Sequence, residues 1–231
     1  EITYGDWSSD VCSSDLVQKM VARVLGVDQA AVTSEVRRMG GGFGGKETQP
    51  AIFAAIAAVI ARKTGRPVKL RLDRDDDMLM TGKRHDFLVR YDVGYDEQGR
   101  LLALDMVLAA RAGHVADLSP SIVDRALFHA DNCYFIPDIR LIGYSCKTNT
   151  QSNTAFRGFG GPQGMLAIEH IADDIARRLG KEPLEVRKLN YYGTETRNIT
   201  PYHQAIEDNI IHEMTAEIEA SAAYGMPMKP G

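Results

Sequence analysis

Five glycines in six residues, Gly40 to Gly45, interrupted only by Phe43 and followed by Lys46 and Glu47, form the strongest chemical signal in the sequence. A glycine loop at the start of a helix lets a ligand lie against bare backbone. The free N–H groups and the dipole of the helix N-terminus then favour an anion. Three uses fit the loop. Gly40 to Lys46 matches the phosphate-binding pattern G-x-x-x-x-G-K, but Glu47 stands where that loop needs Ser or Thr for magnesium. A carboxylate there repels phosphate, which excludes nucleotide hydrolysis. The same glycines match G-x-G-x-x-G, with Asp73 closing the next strand as a ribose ligand, the arrangement of a nicotinamide-dependent dehydrogenase. A tight turn that holds nothing is the third use, and so many glycines favour a binding loop over it.

A second loop, Ala155-Phe156-Arg157-Gly158-Phe159-Gly160-Gly161-Pro162-Gln163, again sets phenylalanine between glycines ahead of a helix. Neither nucleotide pattern predicts it. Four further stretches accompany it: Arg38-Met39-Gly40-Gly41-Gly42-Phe43-Gly44-Gly45-Lys46-Glu47-Thr48, Asp124-Arg125-Ala126-Leu127-Phe128-His129, Asp131-Asn132-Cys133-Tyr134 and Cys146-Lys147-Thr148-Asn149. Together these motifs closely resemble the molybdopterin-binding part of the xanthine dehydrogenase and aldehyde oxidase family of molybdenum hydroxylases. The resemblance runs from about Gln18 to about Tyr192. Either loop alone is only suggestive; several long motifs in one order are specific.

The resemblance implies a molybdenum ion held by the dithiolene of a pterin, and it assigns residues around that group. Phe43, between Gly42 and Gly44, corresponds to the residue whose backbone approaches an oxygen ligand of molybdenum; its plainer role is a plug for the loop. Arg157 matches the arginine close to the metal, where a fixed cation suits an anionic cofactor. Gln163 is placed to reach the cofactor's polar edge, the alternative being a solvated amide at a helix start. Glu47, Arg125 and Phe159 form the substrate set. Glu47 matches the carboxylate that hydrogen-bonds a purine, although an acid at a helix start is also common for dipole reasons alone. Arg125 matches the arginine that binds a purine oxygen and stabilises charge developing on the ring. Phe159 matches one aromatic wall of the purine slot. Glu47 with Arg125 favours purine over aldehyde.

The implied reaction is oxidation of hypoxanthine and xanthine to urate, by attack of a metal-bound hydroxide and hydride transfer to a sulfido ligand. The family's general base lies far toward the C-terminus and has no counterpart before Gly231, so the chain by itself is expected to be an inactive fragment. Loss of a positioned base costs roughly 10²–10⁴-fold. The resemblance also implies iron–sulfur and FAD modules on partner chains or missing flanks, and an oligomer when complete. A non-catalytic binding domain of the same fold is the remaining alternative.

Other polar clusters carry less. His85, His114, His129 and the other histidines are scattered, and they read as structural or solvated. The Asp73 to Asp77 run lacks the glycine and distal glutamate of a calcium loop and reads as a solvated turn. Cys12, Cys133 and Cys146 cannot supply the four thiolates of an ordinary cluster. Widely spaced and odd in number, they suit a reduced, cytoplasmic setting. Cys12 falls where the family has a glutamine near molybdenum. It lies within Trp7 to Leu16, an imperfect Ser-Ser-Asp repeat, so residues 1–16 read as a foreign or disordered segment, or else a solvated Ser/Asp loop. Residues 17–231 then read as a partial molybdopterin-binding domain.

The elements that must position these residues alternate in type. Helices are predicted at Val17 to Leu25, Glu47 to Thr64, Met165 to Leu179, Leu184 to Leu189 and Glu207 to Tyr224. Strands are predicted at Val32 to Arg38, at Val68, Leu70 and Leu72, in a hairpin of Phe87 to Tyr95 with Leu101 to Ala110, and at Ile139 to Lys147. The class is α+β, or mixed α/β. With 231 residues, 44% hydrophobic and 25% charged, the chain can bury a core without metal or disulfide staples. A net charge of -4 excludes a nucleic-acid footprint. The longest apolar stretch, Ala51 to Ala61, is well short of the ~20 residues that span a bilayer. No signal peptide is expected from the residues after Glu1.

Overall fold

The computed structural model describes residues 11–36, 41–222 and 224. The chain divides into two compact units. One comprises Glu1–Phe87, Ala109–Val123 and Tyr144–Gly160; the other comprises Leu88–Leu108, Asp124–Gly143 and Gly161–Gly231.

In the first unit, α1 (Val11–Leu25) lies against α2 (Gln49–Thr64). Val17, Val21 and Ala22 of α1 pack on Ala51, Ala54 and Ala58 of α2, with Val32 and Leu25 closing the cluster. The alanines let the two backbones come close, and Gly65, with φ at 62°, ends α2 in the left-handed region. Helix α1 begins at Val11 rather than Val17, ahead of the apolar periodicity, and the side chain of Cys12 lies outside the described residues. Helix α2 begins two residues later than predicted, which leaves Glu47 ahead of Thr48 and outside the helix. The predicted strand at Val32 to Arg38 does not form over residues 32–36, and residues 37–40 lie outside the described part.

The Asp73 to Asp77 run is not a solvated turn. It opens a short helix, α3 (Arg74–Met80). Asp73 accepts a hydrogen bond from Asp76 N at 2.8 Å as the cap, and Asp75, Asp76 and Asp77 fill the first turn, where the helix dipole favours carboxylates. The run preceding it keeps the burial alternation of a strand: Val68, Leu70 and Leu72 are half-buried while Lys69 and Arg71 are exposed. Yet no ladder forms there among the described residues.

Three strands form one sheet in the order β1 (Phe87–Tyr95), β2 (Leu101–Gly113), β3 (Asp138–Lys147). The β1–β2 hairpin and β3 match the sequence prediction, and β2 runs on to Gly113. Asp105 of β2 pairs with Arg140 of β3, and Gly113 O accepts from Thr148 N, so the two strands run the same way. A parallel pair needs a crossover. Here α4 (Ser119–Phe128), which the periodicity did not single out, lies on that connection. Strand β2 is the central one and the most buried, with Leu104, Met106, Leu108 and Ala110 inaccessible to solvent or nearly so.

The second unit carries α5 (Gly161–Leu179), α6 (Pro183–Asn190) and α7 (Ile211–Ser221). Helix α5 starts at Gly161 rather than Met165. Its buried stripe of Ala167, Ile168, Ile171, Ala172 and Ile175 recurs at three- and four-residue spacing, as an amphipathic helix requires. Tyr91 of β1 donates to Asp174 of α5 at 2.8 Å. Asn190, fully buried, accepts from Leu101 N and donates to Gly99 O and Val186 O, so it ties the end of α6 to the β1–β2 turn.

Candidate functional site

The two glycine loops interlock in the first unit. Arg157 N donates to Phe43 O at 2.9 Å. Gly44 has φ at 94°, and a Cβ on it would lie 2.5 Å from Ala155 O and 2.7 Å from Phe156 Cα. No side chain fits there, so the glycine is required by the crossing of the loops themselves. Thr48 Oγ1 and Thr154 Oγ1 approach to 3.5 Å. Both phenylalanines flanked by glycines adopt left-handed backbone, Phe43 at φ 52° and Phe159 at φ 49°. That conformation costs ~1–3 kcal/mol for a bulky residue and persists only where its surroundings enforce it. Phe43 is 61% exposed, so its ring does not plug the loop. Phe159 is half-buried, and the side chain of Arg157 is exposed.

Glu47 follows the first loop. Its Oε2 is buried, and among the described residues nothing hydrogen-bonds to it. Because Glu47 precedes the α2 cap, a place in the first helical turn does not explain it. A buried carboxylate oxygen without a partner is costly. The oxygen keeps its capacity to accept a hydrogen bond.

Arg84 completes the loop pair, and sequence reasoning missed it. Its Nη2 donates to Arg157 O at 2.6 Å, and its guanidinium carbon sits 4.4 Å from the centre of the Phe156 ring. Its Nη1 is buried and, among the described residues, has no hydrogen-bond partner. The only sequence signal was the run Lys83-Arg84-His85, which matches no spacing rule. The neighbouring His85 is buried and bonds Ser119 Oγ at 2.7 Å.

Arg125 and Gln163 belong to the second unit. Arg125 lies exposed in the last turn of α4, and Gln163 is half-buried in the first turn of α5. A Cβ on Gly164 would lie 2.1 Å from Ala126 O, so the ends of α4 and α5 touch backbone to backbone. Arg125 and Gln163 each sit one residue from that contact. Phe43, Gly42, Gly44, Glu47, Arg157 and Phe159 are gathered in the first unit.

The Asp131-Asn132-Cys133-Tyr134 motif serves structure. Glu169 Oε1 accepts from Tyr134 Oη at 2.6 Å and from Asn132 Nδ2 at 2.9 Å, while Arg187 bridges Glu169 and Asp173. Tyr192 Oη donates to the buried Asp131 at 2.5 Å. Burial and the nearby Glu169 carboxylate push the Cys133 thiol up to about 11, away from any nucleophilic role. Among the described residues no group of three or more His, Cys, Asp or Glu is placed to hold a metal ion. Among them, too, no helix is long and apolar enough to cross a membrane.

Two glycine loops locked together on a mixed fold of helices and strands are the build of a cofactor cradle, and the chain belongs to the molybdopterin cofactor-binding domain family, which matches residues 7–191. Within it, the chain is similar to the xanthine dehydrogenases. It is 49% identical over 207 residues to xanthine dehydrogenase/oxidase of Felis catus and 46% identical over 207 residues to xanthine dehydrogenase 1 of Arabidopsis thaliana. Each match covers 90% of this chain and 15% of the relative, so the chain spans about a seventh of their length. Among solved structures, the aldehyde oxidoreductase of Desulfovibrio gigas matches with a TM-score of 0.79 and 29% identity, over 95% of this chain and 23% of that one. The aldehyde oxidoreductase of Desulfovibrio desulfuricans matches at 0.81 and 28%, over 96% and 24%. The kinship expected from the motifs and the α+β class are both borne out.

Proposed function

We propose that this chain forms part of a molybdenum hydroxylase that oxidises purines, and that it supplies one side of the molybdopterin cradle together with groups that orient the purine. The residues fit the group. Two glycine loops bring backbone to one place, Phe43 and Phe159 are held in costly conformations beside it, and Arg157 offers a cation for an anionic cofactor. When bound, molybdenum and its pterin supply a two-electron centre at which an electron-poor ring carbon is hydroxylated. This chain's residues position the reactants. Glu47 receives an N–H of the purine on Oε2. Phe159 stacks against the flat ring. Arg125 stabilises negative charge on the ring oxygen, and Gln163 bonds the polar edge of the pterin. Iron–sulfur and FAD modules outside this chain would accept the electrons in a cytoplasmic oligomer, and turnover is assigned to the complete enzyme rather than to this chain alone.

The orphaned Oε2 of Glu47 carries the reading. In the complete enzyme, Glu47→Ala and Glu47→Gln are expected to lower kcat/KM for xanthine ten- to roughly a hundredfold, as befits one hydrogen bond to a charged group, worth ~1.5–3 kcal/mol. Molybdenum content should stay normal. Unchanged kinetics in both variants would sink the assignment.

The nicotinamide reading finds less support. Asp73, its ribose ligand, uses Oδ1 to cap α3, and no strand is formed over residues 32–36 ahead of the glycine loop. Addition of NAD to the folded protein is expected to leave its thermal midpoint unmoved.

A further inference from the structure

We infer that residues 67–73 are a strand without its partner, and that a strand from the rest of a longer polypeptide pairs with it and covers Leu70 and Leu72 where they line the apolar cavity alongside. The inference rests on the reading above, in which this chain works inside a larger enzyme. Val68, Leu70 and Leu72 turn inward and Lys69 and Arg71 outward, the two-residue period of a strand, and Asp73 ends the run in extended backbone. Among the described residues, no backbone N–H or C=O of residues 67–72 bonds to another backbone group. Among the described residues both edges of the run are open, and open edges are templates for pairing. Leu70 and Leu72 line a cavity of about 560 Å³, walled further by Phe53 of α2 and Phe156 of the second loop. Beside them the first unit leaves apolar side chains uncovered: Leu79 of α3 is 73% exposed and Ile52 of α2 is 50% exposed.

The nature of the gap selects its occupant. A small molecule in the cavity would cover Leu70 and Leu72 but leave a row of peptide groups unpaired. A strand satisfies both. The relatives have the chain to supply one, since this sequence spans 15% of their length. Cross-strand pairs of opposite charge are favoured. The incoming strand therefore carries apolar residues on the cavity side and acidic residues opposite Lys69 and Arg71.

Amide hydrogen exchange on the complete polypeptide tests this. Amides of residues 68–72 are expected to exchange roughly a hundredfold or more slower than unstructured peptide. That protection should be independent of protein concentration, and Leu70→Asp should abolish it while Lys69→Ala leaves it. Exchange at the unstructured rate in the complete polypeptide overturns the inference. Protection that disappears on dilution overturns it as well, in favour of a second copy. Molybdenum analysis of the same sample separates the two readings: protected amides without molybdenum defeat the proposed function alone, and bound molybdenum with unprotected amides defeats the docked strand alone.

Discussion

Arg84 holds the second glycine loop through its main chain, with one guanidinium nitrogen on Arg157 O and the plane of the group over Phe156. A fork that bonds and stacks at once is a property of arginine that lysine lacks. Arg84→Ala removes a charge-assisted hydrogen bond worth ~1.5–3 kcal/mol and frees the carbonyl that orients Arg157. In the complete enzyme the expected result is a several-fold loss of molybdenum from the folded fraction, with Arg84→Lys close to the alanine variant rather than to the parent. Equal molybdenum in all three proteins, measured by metal analysis, would reduce Arg84 to a surface contact. Glu47 was singled out by the family resemblance, and the structure shows its Oε2 buried with no hydrogen-bond partner among the described residues. Arg84 was not legible: its role comes from a loop seventy-three positions away, and no local spacing announces such a contact.

At the scale of elements, two glycines carry the close approaches. Gly44 faces the backbone of Ala155 and Phe156, and Gly164 faces the backbone of Ala126. Main chain cannot rotate away as a flexible side chain can. Gly164→Ala forces α4 and α5 apart, with a cost of roughly 1–3 kcal/mol expected for an overpacked contact. A chain of this size should show it as a fall in thermal midpoint of several degrees. Gly44→Ala combines the same overlap with a left-handed backbone that costs alanine ~1–2 kcal/mol. It acts on the loop crossing, so loss of molybdenum from folded protein is expected to exceed the loss of stability. Gly42, which is not among the glycines of positive φ, should tolerate alanine better than Gly44. If both substitutions deplete the metal equally, the crossing is not what shapes the cradle.

Across the whole molecule, the buried His85 gives stability a pH dependence of defined sign. Burial holds its imidazole below the ordinary 6.5, with Asp117 and Asp86 opposing in part. The folded state therefore keeps it neutral at a pH where the unfolded chain takes up a proton. Its contribution is complete above 6.5, diminishes as pH falls through the interval down to the folded value, and then levels off. Thermal midpoints are expected to drop as pH falls below the ordinary imidazole value of 6.5, and the slope should flatten in His85→Gln, which cannot titrate. An identical slope in the variant would assign the effect to other groups.

What the sequence determined by itself was whatever depends on near neighbours. The β1–β2 hairpin, β3, the amphipathic α5 and the two glycine loops were all legible, because periodicity and glycine content act within a few residues. So was the family, since its motifs are long and ordered. Tertiary structure decided the rest. It turned the acidic run into the cap and first turn of α3, since Asp73 found Asp76 N. Among the described residues it left the run at Val68 to Leu72 unpaired, because strand pattern is local but a ladder needs a second chain segment. It set Glu47 ahead of α2 instead of in its first turn, and it crossed the two loops at Phe43 and Arg157. Contacts between residues more than a hundred positions apart leave no periodic trace in sequence, and only folding brings them to hydrogen-bond distance.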